Sequence, residues 1–367
     1  MAKVTLGEVA MEARETCKGD RSGFPTVGLE HITPGEIRLS DCDEGRDNTF
    51  TKRFHEGDIL FGRRRAYLKK AAIAPFEGIC SGDITVIRAM QDKMEPRLLP
   101  FVIQNDDFFD FAVGRSAGSL SPRVKWEHLK TYSFELPEMD KQRELADVLW
   151  AIEDTRAAYQ ELAAATEELV KSRFVEMFGE SAYPSFKLKD ICSKITDGTH
   201  KTPTYQANGV PFVSAKNIKD GKLLFDNVKY ISNQEYDEIQ RRCQISNGDL
   251  LLTKSGSLGI PALVDVDFPF GIFESLAVLK YDREKINGVF LHSQIRSDRF
   301  QHDLAQGVKG IAVKHLHLNV IGASVIIVPP LALQNEFAAF VEQTDKSKFD
   351  QLGRSSSCLM KTILRKK

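Results

Sequence analysis

Five cations and one aromatic ring fall within eight residues of this chain, at Arg63, Arg64, Arg65, Tyr67, Lys69 and Lys70. Guanidinium forks suit bidentate contacts to guanine edges or phosphate, and alternate residues of an extended segment would face one way. A solvated strand edge would carry a similar run. A second polar-basic stretch holds Ser116, Ser119, Ser121, Arg123 and Lys125. Hydroxyls and backbone N–H groups of such a loop serve phosphates, although a plain exposed turn has the same composition. Farther along, Thr199, His200, Lys201, Lys216, Lys254, Ser255, Lys309 and Lys314 are candidates by residue type, each a weak signal by itself.

Signatures of catalysis are missing. There is no GxxxxGK[ST] loop, no GxGxxG entering a helix and no GxSxG elbow. The sole Pro-Pro pair, in Val328-Pro329-Pro330-Leu331, has the wrong neighbours for an adenine methyltransferase tetrad. His315 and His317 share one face of a strand but lack a third ligand for a metal. Asp58 and Asp249 sit in Gly-Asp turns, where aspartate caps backbone. Six scattered cysteines without a CxxC pair read as reduced thiols. The expectation is a chain with no catalytic residue, no metal and no cofactor of its own.

Positioning falls to a long helix expected from about Glu138 to Phe178, opening after Pro137 and stopping at Gly179, with no proline or glycine between. At ~1.5 Å per residue it would be on the order of 60 Å long. Leu145, Val148, Ile152, Thr155, Tyr159, Leu162, Thr166 and Leu169 recur at spacings of three and four, a narrow seam suited to one partner helix. The partner follows Pro330. There Gln334-Asn335-Glu336 echoes Gln142-Arg143-Glu144, Phe337, Phe340 and Thr344 match Leu145, Val148 and Ile152, and Leu359-Met360-Lys361 echoes Leu169-Val170-Lys171. Expected packing positions are therefore Leu145, Val148, Ile152, Tyr159, Leu162 and Leu169 against Phe337, Phe340, Leu352 and Leu359. Gly353 and Ser355-Ser356-Ser357 interrupt the second copy.

The segments before the two helices also repeat. Gly209 to Ile218 matches Gly23 to Ile32, and Asn247-Gly248-Asp249 with its following strand matches Glu56-Gly57-Asp58. In the second copy Thr253-Lys254-Ser255-Gly256 replaces the arginine run. Fixed-period self-similarity of this kind marks architecture. The expected division is 1–135 globular, 136–180 helix, 181–328 globular and 329–367 helix, an α+β fold with an internal pseudo-twofold repeat and the two long helices antiparallel.

Composition sets the remaining limits. Hydrophobic content of 42% with 28% charged residues is that of a soluble protein, and no apolar run reaches the ~20 residues of a membrane span. The opening MAKVTLGEVAMEARE is no signal peptide, so a cytoplasmic location is expected. The net charge of −1 hides an asymmetry. From Glu138 to Gly179 ten acidic residues face five basic ones, so this segment carries −5 and the remainder +4. Phosphates would meet the globular regions, not the helix.

This pattern resembles the specificity subunit of type I restriction–modification enzymes over nearly the whole chain. The segments that carry the resemblance are Phe134 to Leu149, Ile327 to Val341, Lys187 to Ile191 with Gly209 to Ser214, and Gly57 to Arg65. The resemblance implies two target-recognition domains, each reading half of a split DNA sequence through the major groove, and antiparallel helices that fix the spacer. It also implies two docked modification (methyltransferase) subunits using S-adenosylmethionine. Where restriction subunits join, it implies two of them, bringing ATP- and magnesium-dependent translocation and cleavage. Residue types leave other readings open: a DNA-reading or assembly scaffold of a methylation-only or phage-defence complex, a DNA-independent adaptor, and an enzyme acting on DNA unaided.

Overall fold

The computed structural model describes residues 2–346, apart from 20, 22, 45–48, 180, 181 and 308–314. Two compact units divide the chain between Tyr159 and Gln160. The division lies inside the long helix.

In the first unit β1 (Ala2–Thr5) and α1 (Leu6–Val9) precede β2 (Ala10–Glu12), β3 (Thr26–Val27), β4 (Lys52–Phe54) and β5 (Ile59–Gly62). Then come β6 (Ala71–Ile73), β7 (Gly78–Cys80), β8 (Ile84–Ala89), the short helices α2 (Leu99–Ile103), α3 (Asp106–Gly114) and α4 (Trp126–Leu129), and β9 (Ser133–Leu136). A break at Gln104-Asn105 divides this helical stretch into two pieces. Asn105 ends the first piece and caps the next, its side chain accepting from the Asp107 amide at 2.9 Å. An antiparallel sheet runs β2-β8-β5-β6, and a small one runs β3-β7-β4 with β3 parallel to β7. Every residue of β5 is buried, because both sheet faces are covered. Phe61 packs on Phe108 and Phe109 on one side, while Leu60 and Val86 join Val27 and Phe54 on the other.

The strand pair β1–β9 then delivers the chain to α5 (Met139–Phe178), a single helix of 40 residues. In the first unit its buried face is Gln142 and Ala146, with Leu149 and Trp150 packed beside them. The Trp150 indole N–H donates to the Arg97 carbonyl at 2.8 Å, and Arg38 lies over its ring. This face is rotated by about one residue from the seam read in the sequence.

The second unit repeats the plan. Its elements are β10 (Ser185–Lys187), α6 (Leu188–Ile191), β11 (Cys192–Asp197), β12 (Val210–Val213), β13 (Ile218–Lys219), β14 (Lys222–Leu223), β15 (Lys229–Ile231) and α7 (Asn233–Arg242). There follow β16 (Leu250–Thr253), β17 (Pro261–Leu263), β18 (Gly271–Ile272), β19 (Leu276–Tyr281), α8 (Gly288–Arg296), α9 (Asp298–Gly307), α10 (Leu318–Ala323), β20 (Val325–Ile327) and α11, described over 331–346. Sheet β11-β19-β16-β17 has the order of β2-β8-β5-β6. The small sheets differ: the antiparallel third strand is β4 on β7 in the first unit and β15 on β12 in the second.

Local chemistry repeats with the topology. Gly57 and Gly248 take positive φ (85° and 81°), which turns the chain into β5 and β16. The following aspartates, Asp58 and Asp249, each accept a backbone N–H at 2.8 Å, from His55 and Ser246. Arg88 pairs with Asp58 and Lys280 with Asp249, so these buried carboxylates are structural. At the start of each long helix stands a buried glutamine. The Gln142 side chain accepts from the Glu95 amide and donates to the Pro137 carbonyl, both at 2.9 Å. Gln334 accepts from the Asn287 amide at 2.9 Å and donates to the carbonyls of Pro329 and Lys285.

Within the second unit α5 and α11 touch. Phe174 and Phe178 enclose Phe337 at ring separations of 5.5 and 5.8 Å, Arg173 pairs with Glu336 at 3.3 Å, and its guanidinium lies over Phe340. Of the expected seam, Leu145, Ile152 and Leu169 are instead 38%, 46% and 51% exposed. The apolar load is carried one position later, by Ala146 and by Val170 and Phe174, because the helix turns its buried face toward its own globular unit. Val148, Tyr159 and Leu162 are half-buried. Leu352, Leu359 and the interruption at Gly353 and Ser355–Ser357 lie outside the described residues.

Truncating either glutamine leaves a buried amide and carbonyl without partners, a loss of about 1–3 kcal/mol. Gln334→Ala should lower the urea midpoint of the second unit and speed hydrogen exchange in α11, while exchange in β5 stays unchanged. An unaltered midpoint would show that Gln334 does not brace α11.

Candidate nucleic-acid interface

The two polar-basic stretches of the first unit, 53 residues apart at Arg63 and Ser116, form one surface. Arg64 and Arg123 are bridged, the Arg65 amide donates to the Pro122 carbonyl at 2.8 Å, and the Val124 amide donates to the Arg63 carbonyl at 3.0 Å. The Arg64 Nε donates to Ser121 Oγ at 2.6 Å. Asp83, from the turn before β8, underlies the join. It pairs with Arg123 at 2.8 Å and Arg64 at 3.3 Å, and the Arg123 hydrogen bond, with help from Arg64, holds its carboxyl below the usual range. Sequence reasoning missed Asp83, since nothing in an isolated Ser-Gly-Asp turn announces two distant arginines.

The run is not the extended segment expected from its sequence. After Arg64 the chain enters a 3-10 turn, Ala66–Leu68, flanked by Arg65 and Lys69 in the left-handed region at φ 54° and 52°. A non-glycine residue there costs on the order of 1 kcal/mol. The run therefore divides by direction. Lys69 is drawn to Asp106 at 2.5 Å and Lys70 to the Leu29 carbonyl at 2.5 Å. Arg65 is exposed, Tyr67 is 54% exposed, and the Arg63 Nε is buried without a hydrogen-bond partner. Arg63, Arg65, Lys70 and the exposed Lys125 have no carboxylate partner among the described residues, and of these Lys70 is occupied by the Leu29 carbonyl. Ser116 is occupied, donating to the Ala112 carbonyl at 2.9 Å, whereas Ser119 is exposed.

The second unit builds the same backbone platform. The Lys254 amide donates to the Ser275 carbonyl as the Arg63 amide does to Asp83, the Leu316 amide donates to the Lys254 carbonyl, and Ser255 is bridged to His315. The side chains differ throughout. Lys254, expected on the reading surface, is 2% exposed and holds Asp197 at 2.5 Å. Its role is structural, because it neutralises a buried carboxylate. Burial acts to raise the Asp197 pKa, but Lys254, Arg242 at 2.6 Å and His200 together bring it below the usual value. His200 sits between Asp197 at 3.2 Å and Glu274 at 2.7 Å. Thr199 and Ser255 are half-buried, while Lys201 and Lys216 are exposed. Arg242 and Glu274 join this cluster without having stood out in the sequence. Lys309 and Lys314 lie outside the described residues. Where the first unit spends strain on Arg65, the second has Gly256 at φ 76°.

No three ligating side chains converge to hold a metal among the described residues, and His315 and His317 meet edge-on with ring centroids 5.6 Å apart. No described helix is long and apolar enough to cross a membrane.

No protein-family model matches the chain. It is 19% identical over 316 residues to the type I restriction enzyme MjaVIII specificity subunit of Methanocaldococcus jannaschii, spanning 78% of this chain and 74% of that one. It is 27% identical over 136 residues to the EcoBI specificity subunit of Escherichia coli, spanning 37% of this chain and 28% of the relative. The solved S subunit of a type I restriction–modification system from M. genitalium shares the fold, with a TM-score of 0.60 at 14% identity over 99% of this chain and 93% of that one. The chain is thus similar in sequence to type I restriction enzyme specificity subunits and shares the fold of a solved one. Such specificity subunits are non-catalytic parts of their enzymes. In this chain the two surfaces just described follow β5 and β16, one in each unit.

Lys254→Met should destabilise the second unit by about 1–3 kcal/mol, since buried Asp197 loses one charged partner and keeps Arg242. Adding Asp197→Asn should recover most of that loss, a coupling that urea unfolding of the four members of the cycle would measure. Additive losses would show that the pair is not the unit of stability.

Proposed function

We propose that the chain is the DNA-reading subunit of a type I restriction–modification complex, each globular unit reading one half of a bipartite, asymmetric site. The observation that carries this reading is a shared backbone platform bearing unlike side chains. Arg63, Arg64, Arg65, Ser121 and Arg123 occupy it in the first unit; Lys254, Ser255, Gly256 and His315, with His200 and Glu274 beside them, occupy it in the second. Equal frames place contacts alike, and unequal side chains select different bases.

In the same reading, the antiparallel pair of α5 and α11 sets the spacer and presents an acidic surface to two modification subunits. Those subunits bring S-adenosylmethionine and much of the phosphate contact, which suits a subunit of net charge −1. Two restriction subunits, with ATP and magnesium, complete a cleaving form.

Single-molecule methylome sequencing of cells expressing the chain with its modification subunit tests the reading. A gapped, asymmetric methyladenine motif is expected. Unchanged methylation from an assembled complex would overturn it. Two variants sharpen the test. Arg65→Gly relieves the left-handed strain and removes a reading cation, so it should fold at least as well while relaxing one half-site by ~1–3 kcal/mol per lost contact. Changes at both half-sites would contradict separate reading units. Four residues inserted into α5 should lengthen the spacer and leave both half-sites intact; an unaltered spacer would refute the ruler.

A further inference from the structure

The loop that completes the first reading face carries an apolar residue that the polar contacts do not explain. Leu120 is 91% exposed, at the tip of Gly118-Ser119-Leu120-Ser121. Single exposed leucines are ordinary on a protein surface. This one differs in how firmly its loop is built. Ala117 and Arg123 exchange both backbone hydrogen bonds, at 3.0 and 2.9 Å, and Gly118 turns the chain at φ 117°. Arg64 fixes Ser121, and the Arg65 amide fixes Pro122. The tip is thus closed by the Ala117–Arg123 pair and tied to the arginine run on the side that follows Leu120, which stands exposed at its end.

The surroundings indicate what an apolar tip would meet there. Arg63 has a buried, orphaned Nε, Arg65 and Lys125 lack carboxylate partners, and Tyr67 is exposed on the adjoining turn. Ser121 Oγ accepts from Arg64, which leaves its own proton to donate outward. Polar donors around a single apolar tip match a major-groove base edge, where the one apolar group offered is the thymine 5-methyl.

We propose that Leu120 reads the 5-methyl group of a thymine within the half-site taken by the first unit. This rests on the chain being a DNA-reading subunit. The two ideas fail separately, because a site must first be found by methylome sequencing before this contact can be tested.

The experiment uses the assembled complex of this chain with its modification subunits, and duplexes in which each thymine of that half-site is replaced singly by deoxyuridine. One replacement should weaken binding about fourfold, the worth of roughly one buried methyl group. Leu120→Ala should bind the thymine and uracil duplexes equally, and Leu120→Met should keep the preference. Since Leu120 is solvent-exposed, both variants should fold. A wild-type complex indifferent to every replacement, a preference that survives in Leu120→Ala, or a half-site without thymine would overturn the proposal. So would increased 2-aminopurine fluorescence beside the contact that is lost in Leu120→Ala, since that would mark an inserted wedge in place of a groove contact.

Discussion

Two buried side-chain amides, Gln142 and Gln334, join each long helix to the globular unit before it. Each lies in the first turn after a proline, where a helix has amide groups to satisfy and no intrahelical partner for them. The glutamine bridges outward instead. Its oxygen takes a loop amide (Glu95 or Asn287) and its nitrogen gives to the proline carbonyl (Pro137 or Pro329). The exit direction of the helix is therefore fixed by hydrogen bonds inside a dry environment, where an unmade bond is costly. In the proposed ruler role, an uncertain exit angle would be amplified along α5.

Around that joint, packing is arranged in favour of the globular unit. Ala146 and Trp150 in the first unit, and Phe174, Phe178 and Phe337 in the second, take the positions with the deepest burial. The seam residues Leu145, Ile152 and Leu169 lie beside these rows and stay exposed. A surface of this kind, apolar in places and acidic elsewhere, suits contacts with other chains better than contact with phosphate.

The two candidate faces show how one frame accommodates divergence. Backbone hydrogen bonds at Arg63 and Lys254 are the same, so side chains can change without disturbing the loop. In the first unit the change leaves cations unneutralised and keeps Arg65 in a strained conformation. In the second the corresponding lysine is buried and closes on Asp197, and the face is a mixed cluster of His200, Glu274 and Arg242. Strain retained where glycine would serve points to a side chain selected for what it touches.

Much of this was legible in the chain itself. A stretch without proline or glycine gave a helix from about Glu138 to Phe178, found at Met139–Phe178, and the echo of Gln142 in Gln334 marked equivalent positions in the two helices. Turn chemistry at Gly57-Asp58 and Gly248-Asp249 marked the strands that carry both faces, because a local conformational requirement leaves a local residue signature. Three things were decided only by tertiary structure: the rotation of the helix face, the pairing of Arg64 and Arg123 through Asp83, and the burial of Lys254 on Asp197. Each joins residues tens of positions apart or turns on which neighbour covers a face. Residue type fixes charge and size, whereas partners come from the fold, so a lysine that reads as a DNA contact becomes a buried counter-ion once a carboxylate is folded against it.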